Sequence, residues 1–246
     1  MHFYGITDVG KERSKNEDII LIPKNSDDVQ LFVLADGMGG ATAGEVASEL
    51  AVSTCKKHFE SNIERAQNDP YEIREVMRES ILAANEKVLE MSINNEKYYG
   101  MGTTLIALYV CKNKIYIGHI GDSRVYRIRK NIIRQLTKDH SFVQELVNSG
   151  TITKQEAKNH PRKNVLTKVI GYEENIQPDI ITKGFLKDDV ILMCSDGLTN
   201  MVEEKDIYEI IVKNASDVCN MTKTLVNEAN QAGGLDNISV IIISND

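Results

Sequence analysis

The sequence predicts an α+β layered sandwich, and three features carry that prediction. Short strand-forming runs are joined by polar links of two or three residues, which favours antiparallel pairing. Helix-forming stretches come in pairs rather than one after each strand, so a doubly wound parallel sheet does not fit. Each long helical stretch carries one apolar face, as expected of a helix laid on a sheet.

Residues 3–8, 19–23 and 31–35 read as strands, the last ending at Asp36-Gly37-Met38-Gly39-Gly40. In 44–59, Val46, Ala47, Leu50, Ala51, Thr54 and Cys55 recur at helical spacing; in 71–91, Ile73, Val76, Met77, Ile81, Ala84 and Val88 do the same. Residues 103–110, 114–119 and 124–128 read as a three-strand meander, with Lys112-Asn113 and Gly121-Asp122-Ser123 as hairpin links. Two short helices are expected in 141–160. Ser141 with Gln144 and Thr153 with Glu156 have capping-box spacing, and Gly150 can end the first helix. Strands 176–182 and 190–194 follow, the second stopping at Ser195-Asp196-Gly197. One or two helices fill 203–231, and a last strand runs 238–243 after Asp236-Asn237. No repeat, low-complexity tract or linker divides the 246 residues, so a single domain over 1–246 is expected.

Composition narrows the function. With 29 basic and 36 acidic side chains the formal charge is −7, which disfavours nucleic acid as a partner and suits a cation or a basic protein surface. Without Trp and with five Phe, the chain lacks the aromatic platforms of a sugar hydrolase. Cys55, Cys111, Cys194 and Cys219 stand far apart without a CxxC pair. The first residues lack the basic and apolar regions of a leader. A cytoplasmic protein with reduced thiols is therefore expected. No stretch approaches 18 apolar residues, so no membrane insertion is expected. Cys194, inside an apolar run, reads as core filler rather than a nucleophile. There is no GxxxxGK[ST], and Gly37 to Thr42 fails GxGxxG at its last position.

The informative pattern is an aspartate where an apolar strand ends. Asp36 follows Leu31-Phe32-Val33-Leu34-Ala35, Asp196 follows Val190 to Ser195, Asp236 directly precedes the last strand, and Asp122 sits at an expected hairpin tip. Each alone is an ordinary turn aspartate. Should the strand ends converge, their mutual repulsion would raise the carboxyl pKa values, and a hard divalent cation would relieve it. Oxygen ligands favour Mg²⁺ or Mn²⁺ over zinc or copper. Gly37 and Gly197 permit tight turns that bring carbonyls near an ion.

Seven blocks in order resemble the metal-dependent protein phosphatases of type 2C, in their compact bacterial branch. They are Thr7 to Arg13 with Asn16-Glu17-Asp18; Ala35 to Gly40; Gly100-Met101-Gly102-Thr103-Thr104; Gly121-Asp122-Ser123-Arg124; Leu136 to Ser141; Ser195-Asp196-Gly197-Leu198; and Asp236-Asn237-Ile238-Ser239. The resemblance implies a four-layer α-β-β-α sandwich with two central antiparallel sheets flanked by helix pairs, and a flap subdomain at about 142–176. It implies two Mn²⁺ or Mg²⁺ ions per active site. Asp36 would bridge them, the Gly37 carbonyl would bind one, and Asp196 and Asp236 would complete the first. Glu17 and Asp18 match an acidic pair that orders metal-bound water, Asp122 matches a ligand of a third, weaker metal, and Arg13 matches the arginine that grips the substrate phosphate.

The implied reaction is hydrolysis of phosphoserine and phosphothreonine in proteins by a metal-activated water, without a phosphoenzyme. The implied setting is a monomer opposing a bacterial Ser/Thr kinase, which would itself be among its substrates. Where animal members carry a histidine proposed as general acid, this chain has Met38, which leaves proton donation to metal-bound water. His140 reads as a surface or structural residue, and His119 as a satisfied core residue. Lys154, Lys158, Arg162, Lys163 and Lys168 read as a solvated face, or else as a substrate-docking surface. Two other readings stand beside this one: a phosphoprotein-binding pseudophosphatase, and a phosphatase dedicated to one regulatory protein.

Overall fold

In the run Leu31-Phe32-Val33-Leu34-Ala35 every residue is apolar and buried, so both faces of its strand must be covered. The computed structural model describes residues 1–24, 29–39, 43–214 and 217–245, and it shows what covers them. Strand β3 (Leu31–Met38) turns Phe32 and Leu34 toward a second sheet, and Leu31, Val33 and Ala35 toward helices. The period-2 alternation of a strand thus feeds two cores at once.

The first sheet runs β2 (Asp18–Leu21), β3, β5 (Leu105–Cys111), β6 (Lys114–Ile120), β9 (Asp179–Gly184), with β4 (Gly102–Thr103) added to the end of β3. The second runs β1 (His2–Asp8), β11 (Ile238–Asn245), β10 (Asp189–Cys194), β7 (Arg124–Arg129), β8 (Ile132–Gln135). All named strand pairs are antiparallel. Between the sheets, Ile106, Leu108, Ile115 and Ile117 meet Ile191, Met193, Ile241 and Ile243.

Outside the first sheet lie α1 (Ala43–Asn62) and α2 (Pro70–Asn94); outside the second lie α6 (Glu204–Lys213) and α7 (Val218–Gln231). The result is the expected four-layer α-β-β-α sandwich. Asp69 caps α2 by accepting from the Tyr71 and Glu72 amides, and Pro70 sets its first turn. The expected apolar stripe Ile73, Val76, Met77, Ile81, Ala84, Val88 is buried throughout, each large side chain contributing about 1.5–3 kcal/mol. Gly118 lets α2 approach β6: a Cβ there would lie 2.3 Å from Ile81 Cδ1.

Three expectations need correction. The meander 103–128 does not exist, because β5 and β6 pair in one sheet while β7 pairs with β10 and β8 in the other. Gly121-Asp122-Ser123 is therefore a crossing between sheets, not a hairpin tip. Sheets stack about 10 Å apart, a gap that three extended residues can span, so a short polar link does not distinguish the two cases. The strand expected at 176–182 lies at Asp179–Gly184, and the short strand β8 was not anticipated. The one or two helices expected in 203–231 are indeed present, as two, and a one-turn helix α5 (Asp196–Thr199) precedes them. Gly40, which ends the second motif block, lies outside the described residues, as do Ala41 and Thr42.

Candidate active site

The two sheets present strand ends at one shared edge, and the aspartates stand there. Asp36 lies in β3 directly opposite Asp18 of β2. Its N–H donates to Thr104 Oγ1 at 3.0 Å, and its carbonyl takes the Thr104 N–H at 2.9 Å and Thr103 Oγ1 at 2.9 Å. From the other sheet, Asp196 opens α5 at the end of β10, and Asp236 stands just ahead of β11. Ser195 joins the sheets: its hydroxyl donates to Asp18 Oδ2 at 2.8 Å and accepts the Ser239 N–H at 2.9 Å.

Arg13, Glu17, Asp36, Gly37, Asp122, Asp196 and Asp236 line one cleft of about 480 Å³. Asp18 is not in its lining; it is buried beneath, with Oδ1 unpartnered among the described residues. Arg13 reaches over the rim and donates to Asp236 Oδ2 at 2.8 Å. Glu17 sits against the α1 N-terminus, where Gly44 leaves room: a Cβ on Gly44 would fall 2.8 Å from the Glu17 carboxyl. The Gly44 amide bonds that carboxyl and favours its charge, while burial raises its pKa more strongly.

Electrostatics show what this arrangement lacks. Burial, then the charges of Asp18, Asp196, Asp122 and Asp236, push the Asp36 carboxyl well above the usual range. Burial chiefly, with neighbouring carboxylates adding, raises Asp18 to about 7, Asp122 to about 8 and Asp196 to about 6. Such a cluster stays ionised at neutral pH only beside added positive charge. The unpartnered Asp18 oxygen and an all-oxygen donor set fit Mg²⁺ or Mn²⁺.

The sequence profile of the family described as Protein phosphatase 2C matches residues 11–233, spanning all of these side chains except Asp236. The chain belongs to that family. It is 38% identical over 246 residues to a Listeria monocytogenes protein named serine/threonine phosphatase stp, covering 100% of this chain and 96% of the relative. The solved Streptococcus agalactiae serine/threonine phosphatase superposes with a TM-score of 0.90 at 37% identity, covering 100% of this chain and 99% of that one. The catalytic domain of PstP, solved in complex with two manganese ions, superposes with a TM-score of 0.83 at 31% identity, covering 98% and 96%. The chain is thus a metal-dependent serine/threonine protein phosphatase of the bacterial type 2C branch.

Within this phosphatase 2C fold, residues that sequence reasoning did not single out hold the site together. Asn237 Oδ1 accepts the Glu17 N–H at 2.8 Å, and its Nδ2 donates to Val9 O and Lys15 O at 2.9 and 2.8 Å. It therefore fastens the loop bearing Arg13 and Glu17 to the second sheet. The motif Asp236-Asn237 marked the position without revealing the task. Arg124 clamps Asp139 with bonds of 2.7–3.0 Å next to Asp122.

His119 and His140 are both buried, so His140 is structural rather than a surface residue. His119 is half satisfied: Nε2 donates to Ser123 O at 3.0 Å, while Nδ1 finds no partner among the described residues. With Asp179 they bring ligand atoms within 4.8 Å of one another, a spacing open to a metal. Proton placement argues for a hydrogen-bonded cluster instead. His140 Nδ1 accepts the Gly121 N–H at 3.1 Å, so a neutral ring carries its proton on Nε2, 3.4 Å from Asp179 Oδ2. Lys168, 3.6 Å from Asp179, already supplies a cation there.

Segment 142–176, which contributes Asn164 and Leu166 to the cleft lining, forms helices α3 (Phe142–Asn148) and α4 (Lys154–Lys158) and a returning arm. The Ser141 hydroxyl caps α3, Thr153 and Glu156 form a full capping box, and Gly150 adopts φ +74° after the first helix. Lys158 pairs with Glu203, Lys168 with Asp179, and Arg162 stacks on Phe142 at 3.9 Å. A second cleft of about 550 Å³ runs between this segment and α6 and shares Asp122, Asn164 and Asp196 with the first. Cys55 and Cys194 are core residues whose thiols burial pushes up to about 12, so neither is a nucleophile. Among the described residues no helix is long and apolar enough to cross a membrane.

Proposed function

We propose that this cleft dephosphorylates phosphoserine and phosphothreonine in cytoplasmic phosphoproteins, a partner Ser/Thr kinase among them, using two Mn²⁺ or Mg²⁺ ions. The observation that supports it is the convergence of carboxylates from both sheets on one cleft with an arginine at its rim. Asp36, the Gly37 carbonyl, Asp196 and Asp236 would hold the ions, and Asp122 a third and weaker one. Divalent ions supply Lewis-acid charge and acidify water.

The remaining chemistry belongs to the chain. Arg13, half exposed at the rim, offers a planar fork of N–H donors suited to phosphate oxygens and to the charge they carry in the transition state. Glu17, with its pKa raised by burial and its place fixed by Gly44 and Asn237, can hold or pass a proton at the cleft wall. Asp18 bonds Ser195 behind Asp36 and so couples the two sheets at the site. Among the described residues no histidine lines this cleft, so water rather than imidazole protonates the leaving oxygen. The adjoining cleft beneath segment 142–176 would take peptide flanking the phosphorylated residue.

The deciding experiment is phosphothreonine-peptide hydrolysis with Mn²⁺, Mg²⁺ or EDTA. Turnover that requires the ion supports the reading; Mn²⁺ binding without turnover leaves a phosphoprotein-binding module.

A further inference from the structure

Asp122 is held in place through its two neighbours, and each neighbour is held by a histidine. His140 donates its backbone N–H to Gly121 O at 2.8 Å and accepts the Gly121 N–H on Nδ1 at 3.1 Å. His119, on β6, donates from Nε2 to Ser123 O at 3.0 Å. The two rings stack, with centroids 4.8 Å apart and planes 28° from parallel. The residues on either side of Asp122 are therefore each bonded by one ring of a buried imidazole pair.

The loop has little else to fix it. Gly121 adopts φ +107°, and a Cβ there would lie 2.5 Å from Thr104 Cγ2, so the peptide packs without a side chain of its own. Ser123 adds one hydroxyl contact to Thr104 at 2.9 Å. His140 also faces the other way. Its carbonyl takes the Thr167 N–H at 2.8 Å from the returning arm of segment 142–176, and Ser141 bridges to Leu166.

We infer that His140 is a positioning residue for the third metal: its ring fixes Gly121, the residue before Asp122, beside His119, and its backbone joins that residue to the arm at Thr167. This rests on the reading of Asp122 as a metal ligand. The bond that matters is a lone pair on Nδ1 accepting one backbone N–H, which is a specific chemical requirement. Asparagine can place Oδ1 where Nδ1 stands and accept the same hydrogen; leucine fills the volume and accepts nothing.

The test is a Mn²⁺ titration of the whole chain, following free Mn²⁺ by electron paramagnetic resonance, with thermal denaturation of each variant as a check on folding. Asp122→Asn identifies the weak site by removing it. His140→Leu is expected to weaken that site about tenfold and leave the tight sites unchanged. His140→Asn is expected to recover most of the loss. His140→Leu added to Asp122→Asn is expected to cost nothing further, since both act through one ligand. Should His140→Leu fail to fold, His140→Gln replaces it, because its amide lies one bond beyond the Nδ1 position. A weak site unchanged in His140→Leu but lost in Asp122→Asn overturns the inference, as does equal damage in the leucine and asparagine variants. An isotherm unaltered by Asp122→Asn overturns the reading of Asp122, and this inference with it.

Discussion

Asp18 and Asp36 stand directly opposite one another on β2 and β3, so a single strand pair sets a buried and a half-buried aspartate side by side. Burial and then the Asp18 charge raise the Asp36 pKa, while burial, with Asp196 and Asp236 adding, raises that of Asp18. Removing one charge therefore has opposite effects on stability and on function. Asp36→Asn is expected to raise the melting temperature in EDTA by relieving repulsion, and to cut phosphopeptide turnover with Mn²⁺ by at least about 100-fold. Calorimetry in EDTA and a phosphate-release assay read the two effects; a lower melting temperature would contradict the repulsion.

The same repulsion fixes a pH dependence. Unfolded aspartates lose their protons near pH 4, whereas burial and neighbouring charge let folded Asp18, Asp122 and Asp196 keep theirs to about 7, 8 and 6. Across that window the folded state binds more protons, so stability falls as pH rises. Metal-stripped protein is expected to melt several degrees lower at about pH 8 than at about pH 6, and Mn²⁺ is expected to remove most of the difference. Differential scanning calorimetry at the two pH values, with and without Mn²⁺, checks both statements.

Arg13 separates binding from folding. Its ion pair with Asp236 lies half exposed at the cleft rim, where such pairs contribute at most about 1 kcal/mol. Arg13→Ala should lower kcat/KM toward a phosphopeptide about 10–100-fold, the value of a charge-assisted contact. The melting temperature should barely move, and Arg13→Lys should recover only part of the loss. Steady-state kinetics beside a melting curve separates the two.

Gly197 lies at a contact where no side chain fits. A Cβ there would come within 1.9 Å of Asn237 O, so Gly197→Ala must push β11 and α5 apart at the base of the site. A loss of about 1–3 kcal/mol and of most activity is expected. Urea unfolding measures the first and phosphate release the second.

Asn237→Asp keeps an acceptor for the Glu17 amide but sets a carboxylate against the Val9 and Lys15 carbonyls. It is expected to cost about 1–3 kcal/mol and to speed proteolysis between Val9 and Glu17. Cleavage-site mapping by mass spectrometry would show whether that loop is the part released.

The carboxylates were legible because each interrupts or ends an apolar run, a place where a charge has little structural reason to be. The four layers were legible only through the resemblance. The unbroken apolar run Leu31 to Ala35 shows that both faces are buried, yet it does not say which face meets a sheet and which meets a helix. The link Gly121 to Ser123 reads equally as a hairpin or a crossing, since only the partner of β7 decides. Strand β8 escaped because Ile132 and Arg134 are exposed at a sheet edge, where packing leaves little pattern. His140 was left open between a surface and a structural role, because its polar sequence neighbours conceal a site enclosed by residues distant in the chain.

Strand β1 has one sheet neighbour, and it is β11: His2 faces Ser244, and Asp8 faces Ile238. On the ribosome, β1 must therefore wait for β11 before it can pair. Until then its amides have no ladder, and Arg13 and Glu17, which follow it, have no Asp236 or Asn237 to meet. Catalytic competence consequently waits on the synthesis of β11. A partly synthesised chain has no working cleft with which to act on phosphoproteins.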